Sequence, residues 1–339
     1  MMKLGCAVLL LAAGTVTAQQ PAFKTGVEVV SVPVSVLTRD HNNYIDGLTV
    51  ADFELAENGE RQQITTVVRE RRPVSLAIVV DSSGSMAIGI RKELAIFAVQ
   101  RAVEALLPDD EIAVVLFGEK VETRLPWTRV GAITSLNWSG WVPYGMTPLN
   151  DGMKLGLALI EQAHNPRRAV MLVTDGFENA SRESTSALVK TRQQSETTIY
   201  GIGVGSASLA DLRADAGGAT RIDRESISRA NAGALGRVEA ATPGASPLVR
   251  PPQALPNFDY LETLVGDSGG AVHRVLSQPE TAMAAKNIVG ELQNEYLLGY
   301  TPARPLDGKY RRLKVEVKRR GVFVRHRGGY LALPSGNTQ

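Results

Sequence analysis

Between residues 73 and 203, short apolar runs rich in β-branched residues alternate with stretches of helical length, and this rhythm constrains the fold more than any other feature. Strands are expected at 74–80, 112–117, 170–174 and 198–204, with helices at about 88–107, from about 148 onward, and at about 184–194. Apolar strands separated by helices bury both faces of a sheet, so the pattern predicts an α/β fold with a doubly wound, mainly parallel sheet. The grammar resumes with a helix at about 258–265, a strand at 271–275 and a helix at about 280–291. Ligands on such sheets gather at the carboxyl ends of the strands. Asp81, after "LAIVV", and Asp175, in "VMLVTDG", stand at two such ends.

The two ends of the chain follow a different, period-two pattern. In 24–72, "VEVVSVPVSVLTRD" reads as a strand, Asp46-Gly47 as a turn and "FELAENGERQQITTVV" as a hairpin about Asn58-Gly59. In 296–332, "YLLGYTP", "YRRLKVEVKRR" and "VFVRHRGGYLAL" read as strands again. Alternating strands at both ends of an α/β core predict one small β-sandwich made by the N- and C-terminal segments, with the domain at 73–295 inserted in its connectivity. Residues 206–254 are rich in Ala, Gly, Ser and Arg and lack periodicity, so a flexible insertion is expected there. It follows a strand that ends on the ligand face. Its Asp211, Asp215, Asp223 and Glu225 are therefore candidates for an internal ligand that closes a site, set against a plain solvated loop.

Length and charge bound the function. A chain of 339 residues has room for roughly two domains. With 37 Lys and Arg against 35 Asp and Glu, the net charge of +2 gives no global attraction for nucleic acid. The first 18 residues carry one cation, a short apolar stretch and small residues around Val16 and Ala18, the pattern of a cleavable secretory signal, so a secreted or periplasmic location is expected. The apolar stretch is well short of the ~20 residues of a spanning helix. Cys6 is the only cysteine and precedes that stretch, which argues against a lipid anchor and leaves the mature chain without disulfides.

The segment "LAIVVDSSGSM" at 76–86 admits a nucleophilic serine, a phosphate loop or a metal seat. The nucleophile reading draws on Ser82, Ser83, Ser85 and the stretch "GDSGG" at 266–270, but no serine sits in a G-x-S-x-G elbow and no histidine stands in a recognisable catalytic setting. "GDSGG" is also common turn composition. The phosphate-loop reading fails because Ile90-Arg91 in "GSMAIGIR" stand where Lys and Ser/Thr are required. The metal reading uses Asp81, Ser83 and Ser85 as D-x-S-x-S in a short extended loop, with Thr147 in "GMTPL" and Asp175. These hard oxygen donors suit Mg²⁺ or Mn²⁺. Two aspartates only nominally neutralise a divalent ion, which leaves room for a carboxylate from another molecule. Taken singly, Asp81, Ser83 or Thr147 could equally cap a helix and Asp175 could belong to a turn.

Asp81-x-Ser83-x-Ser85, Thr147 and Asp175, in this order and on these elements, resemble the metal-ion-dependent adhesion site of von Willebrand factor A-type domains, over residues 73 to about 291. "GLTVADFELAENGERQQI" and the C-terminal stretch from "EYLLGYTP" to "GGYLAL" resemble the ends of a secreted bacterial group of such proteins. The resemblance implies a Rossmann-like fold, an adhesion or scaffold function without catalysis, a Mg²⁺ or Mn²⁺ ion held by the five residues, and a protein partner that donates an Asp or Glu. It also makes "DSGG" a loop joining a late helix to the last strand. Met146 departs from the glycine frequent in relatives. Alternatives from other classes are a magnesium-dependent or serine hydrolase in the same pocket and a structural envelope protein with a vacant site. The cations Lys309, Arg311, Arg312, Lys314, Lys318, Arg319, Arg320, Arg325 and Arg327 are expected on a solvated sheet face, with weak contact to anionic envelope components as the second reading.

Overall fold

The computed structural model describes residues 29–41, 43–69, 71–195, 197–205 and 256–333. The expected signal at 1–18 and insertion at 206–254 lie outside the described residues.

The centre is a six-stranded sheet. Its members are β5 (Val74–Asp81), β6 (Glu111–Phe117), β7 (Val121–Arg129), β8 (Arg167–Thr174), β9 (Thr198–Val204) and β10 (Val272–Val275), in the order β10-β9-β8-β5-β6-β7. All neighbours are parallel except β6 and β7. Every residue of β5, β6 and β9 is buried, as two-sided coverage demands. One face is covered by α1 (Arg91–Ala105) and α5 (Gln278–Asn294), which share a core with the alternate strand residues Leu76, Ile78 and Val80. The other is covered by α2 (Leu149–Ile160), α3 (Thr185–Gln194) and α4 (Phe258–Val265), whose Leu157, Leu188 and Leu261 pack on Ala77 and Val79. Helix α1 turns Leu94, Ala95, Ala98, Val99 and Ala102 inward at spacings of three and four, which gives a narrow stripe of small residues and close packing on α5. The expected mainly parallel, doubly wound sheet is the one observed.

The sixth strand, β7, has no apolar run to announce it. Its "VETRLPWTR" is largely exposed, and Pro126 is tolerated because an edge strand has one unpaired side.

Two four-stranded antiparallel sheets lie outside this domain. One has the order β13-β1-β11-β4, with β1 (Val30–Thr38), β4 (Ile64–Val68), β11 (Tyr296–Tyr300) and β13 (Val322–His326). The other has the order β14-β12-β2-β3, with β2 (Phe53–Glu57), β3 (Glu60–Gln62), β12 (Tyr310–Val317) and β14 (Gly329–Leu331). Strands from the two chain ends pair directly: β1 with β11 and β13, β4 with β11, and β2 with β12. Their inner faces share one core that includes Val32, Val34, Leu55, Leu298, Tyr300 and Val315. Within it the buried Glu57 accepts hydrogen bonds from Tyr300 Oη at 2.6 Å, Tyr330 Oη at 2.7 Å and Arg311 at 2.9 Å.

This core corrects the expectation for the basic C-terminal set. Arg311 and Arg327 are buried, and Arg325 is half-buried 3.6 Å from Glu291 of α5. The alternation of β12 points every second residue inward, and Arg311 falls on the inner register together with Leu313 and Val315. These arginines hold the fold together, while Arg312, Lys314, Lys318, Arg319 and Arg320 remain on the exposed side.

Candidate functional site

Parallel pairing of β5 with β8 aligns Val80 with Val173, so the residues that follow meet at one sheet edge. Asp81 and Asp175 are both completely buried there. Asp81 Oδ1 accepts the Ser83 N–H at 2.8 Å and Oδ2 accepts the Thr174 hydroxyl at 2.5 Å. Thr174 Oγ1 in turn accepts the Gly176 N–H at 3.0 Å. The loop after Asp81 is anchored through Ser82, whose N–H donates to Phe117 O at 2.6 Å and whose hydroxyl accepts Trp141 Nε1–H at 2.6 Å.

The D-x-S-x-S loop does not stay extended as expected. It closes into a 3₁₀ turn at Gly84–Ala87, with Met86 N–H donating to Ser83 O and Ile88 N–H to Ser85 O. A turn with three residues per repeat leads the chain directly toward α1, and it still sets Ser83 Oγ 3.0 Å from Ser85 Oγ. Ser83 is fully buried, and Ser85 is half-buried and hydrogen-bonded through its side chain to Asp175. Thr147 is buried on the neighbouring loop. Gly84 N–H donates to Gly145 O at 3.0 Å and so draws that loop against the serine turn. Asn179 fixes the Thr147 backbone from both sides, accepting its N–H at 2.8 Å and donating to its carbonyl at 3.1 Å. Asp81, Ser83, Ser85 and Asp175 are thus joined directly, and Thr147 is held beside them by its backbone.

Gly176 is required by this geometry. Its φ is +84°, and a Cβ there would lie 2.1 Å from Asn257 O, whose own N–H donates to Asp175 O at 2.8 Å.

The electrostatics follow from burial. Loss of solvation pushes the Asp81 carboxyl up to about 7, and the charge of Asp175 beside it adds to the rise. Burial also raises Asp175, opposed by the Arg91 guanidinium and by Ser85. Arg91 donates to Asp175 Oδ2 at 2.7 Å and to Ser85 O at 3.2 Å, and is itself buried. Two carboxylates in dry surroundings with hydroxyls between them are what a hard divalent cation would relieve, so the donor set fits Mg²⁺ or Mn²⁺.

Residues 76–178 match the von Willebrand factor type A domain family. Among solved structures, it is similar to a von Willebrand factor type A protein from Catenulispora acidiphila, at 12% identity over 91% of this chain and 75% of that one, with a TM-score of 0.44. The ArnB paralog VWA2 from Sulfolobus acidocaldarius is similar at 9% identity, 90% and 76% coverage, TM-score 0.42. An aerotolerance-related membrane protein from Bacteroides fragilis is similar at 17% identity, 64% and 99% coverage, TM-score 0.40. No curated protein matches the sequence.

The serine of "GDSGG" is a structural tie. Ser268 Oγ accepts the Ile199 N–H at 3.0 Å and donates to Ile199 O at 3.2 Å, which fastens the turn between α4 and β10 to β9. Three of the four histidines are engaged elsewhere, His164 with Glu111 at 2.9 Å, His326 with Val315 N–H at 3.2 Å and His41 against the Phe323 ring, and the fourth, His273, lies on β10. Ser83 and Ser85 hydrogen-bond to each other, and Ser82 to Trp141. Sequence reasoning missed Thr174, Trp141, Asn179 and Arg91. Thr174 had a signal, its position beside Asp175 on the same strand end. Arg91 had none, because nothing in the spacing reveals that a cation ten residues after Asp81 turns back onto Asp175. Among the described residues, no helix is long and apolar enough to cross a membrane.

Proposed function

We propose that the domain is an exported, metal-dependent protein-binding module in which Asp81, Ser83, Ser85, Thr147 and Asp175 hold Mg²⁺ or Mn²⁺ and a partner contributes an Asp or Glu carboxylate. The observation that carries the reading is the meeting of two buried aspartates and two serine hydroxyls at the carboxyl edge of a parallel sheet. A bound divalent ion would supply a hard cationic contact for an outside carboxylate. The chain's own part is to hold the donors still. Thr174 and the Ser83 N–H orient Asp81, Asn179 fixes the Thr147 backbone, and Trp141 anchors the loop through Ser82.

The rim supports a protein partner. The loop leading to Thr147 exposes Val142, Tyr144 and Met146 at 72%, 53% and 54%, and Ile90 is exposed beside the start of α1. Every second residue of one short segment turns a large apolar side chain to solvent next to the polar centre. An apolar collar around a charged anchor is suited to a peptide segment with an acidic residue among apolar ones.

Peptides that differ only in carrying Glu, Asp, Gln or Asn at one position test this on the immobilised full chain. Retention of the acidic peptides in Mg²⁺, abolished by chelator, is expected. Equal retention of acidic and amide peptides, or retention indifferent to chelator, contradicts the reading.

A further inference from the structure

Arg91 is the first residue of α1, 3% exposed, and it touches two of the five residues assigned to the metal. Its location runs against helix electrostatics, since the N-terminal end of a helix carries partial positive charge and disfavours a cation. A buried guanidinium also needs a paired anion to be stable. Both facts have the same explanation, the 2.7 Å contact with Asp175 Oδ2. Asp175 therefore has one oxygen committed to a cation that belongs to the chain, while its Oδ1 receives a long 3.4 Å contact from Phe177 N–H.

We propose that Arg91 is a tethered counter-cation that competes with the divalent ion for Asp175 and thereby sets the metal affinity of the site. The inference rests on the metal-binding reading and adds what that reading lacks, a reason for the domain to keep its two aspartates together at low metal concentration. Metal entry is then an exchange of one cation for another at Asp175. The guanidinium yields Oδ2, and the site changes from a closed ion pair to a centre open to an outside carboxylate. A purely structural Arg91 would act differently: its loss would weaken the fold and leave metal affinity unchanged or reduced.

Calorimetric titration of Mn²⁺ into the full chain, its Arg91→Gln and Arg91→Lys variants, and Asp81→Ala separates these cases. Arg91→Gln should bind Mn²⁺ at least about tenfold more tightly than the wild type, the effect of removing one charge-assisted hydrogen bond from the competing state. Arg91→Lys, which keeps the cation, should stay near the wild type, and Asp81→Ala should bind no metal. Equal or weaker binding by Arg91→Gln overturns the proposal. Binding by none of the four proteins overturns the metal reading together with it. If Arg91→Gln does not fold, the wild type decides through the guanidinium Nε–H resonance of Arg91, assigned by its absence in Arg91→Lys. Movement of that resonance on Mg²⁺ addition supports exchange, and an unmoved resonance at metal saturation overturns it.

Discussion

Asp81 is held by a backbone N–H and by Thr174, and the second contact can be removed without touching the serine turn. Thr174→Val keeps the shape, deletes one donor from a buried carboxyl group, and should cost about 1–3 kcal/mol of stability in urea unfolding. An unchanged midpoint would show that the Thr174 hydroxyl is dispensable. Gly176 makes a sharper case because two requirements coincide in it, a positive φ and a carbonyl oxygen where a Cβ would stand. Gly176→Ala should cost about 3 kcal/mol by the same measurement and displace the peptide that carries Asp175.

At the level of elements, the site depends on β5 and β8 being parallel neighbours and on the turn and helix that follow β5. Outside the α/β domain, Glu57 of β2 collects side chains from β11, β12 and β14 and so links the two antiparallel sheets. Glu57→Ala leaves the Arg311 cation and two tyrosine hydroxyls without their carboxylate, at an expected cost of about 3 kcal/mol or more in thermal or urea unfolding. The difference between what the sequence announces and what it conceals is visible in these same elements. Strands buried on both faces, such as "VSLAIVV" and "IAVVLF", declare themselves by composition, and so do the aspartate and serines at the end of the first. Strand β7 is concealed because an exposed edge needs no apolar run. The 3₁₀ turn at Gly84–Ala87 is concealed because short polar loops are shaped by the contacts around them, here Trp141 and Gly145. Arg91 is concealed for the same reason as the inward face of Arg311: a lone arginine in sequence reads as surface, and only tertiary pairing with a buried carboxylate places it inside.

Over the whole molecule, α5 runs directly into β11, and the polar residues at that passage are buried. Arg167 at the start of β8 donates to the backbone carbonyls of Leu292 and Glu295, and its guanidinium lies 3.5 Å from the Glu295 carboxylate. Burial pushes the Glu295 carboxyl up to about 7 in spite of Arg167, with Glu291 adding to the rise. Its folded value lies above the ordinary 4.5, so the unfolded chain holds fewer protons at this position between those limits. The stability it contributes is full below about 4.5 and is lost as pH rises through about 7. Glu295→Gln should flatten that decline, by up to about 3 kcal/mol, in urea unfolding compared at pH 5 and pH 8. An unaltered slope would mean that Glu295 ionises as in water.

Metal binding at the edge formed by β5 and β8 is the proposal on which the partner and Arg91 readings depend. Calorimetric titration of Mg²⁺ and Mn²⁺ into the full chain, beside Asp81→Ala, tests it most directly. Saturable one-site binding by the wild type, lost in the variant, is the expected result. Absence of binding by the wild type, or equal binding by Asp81→Ala, would contradict it.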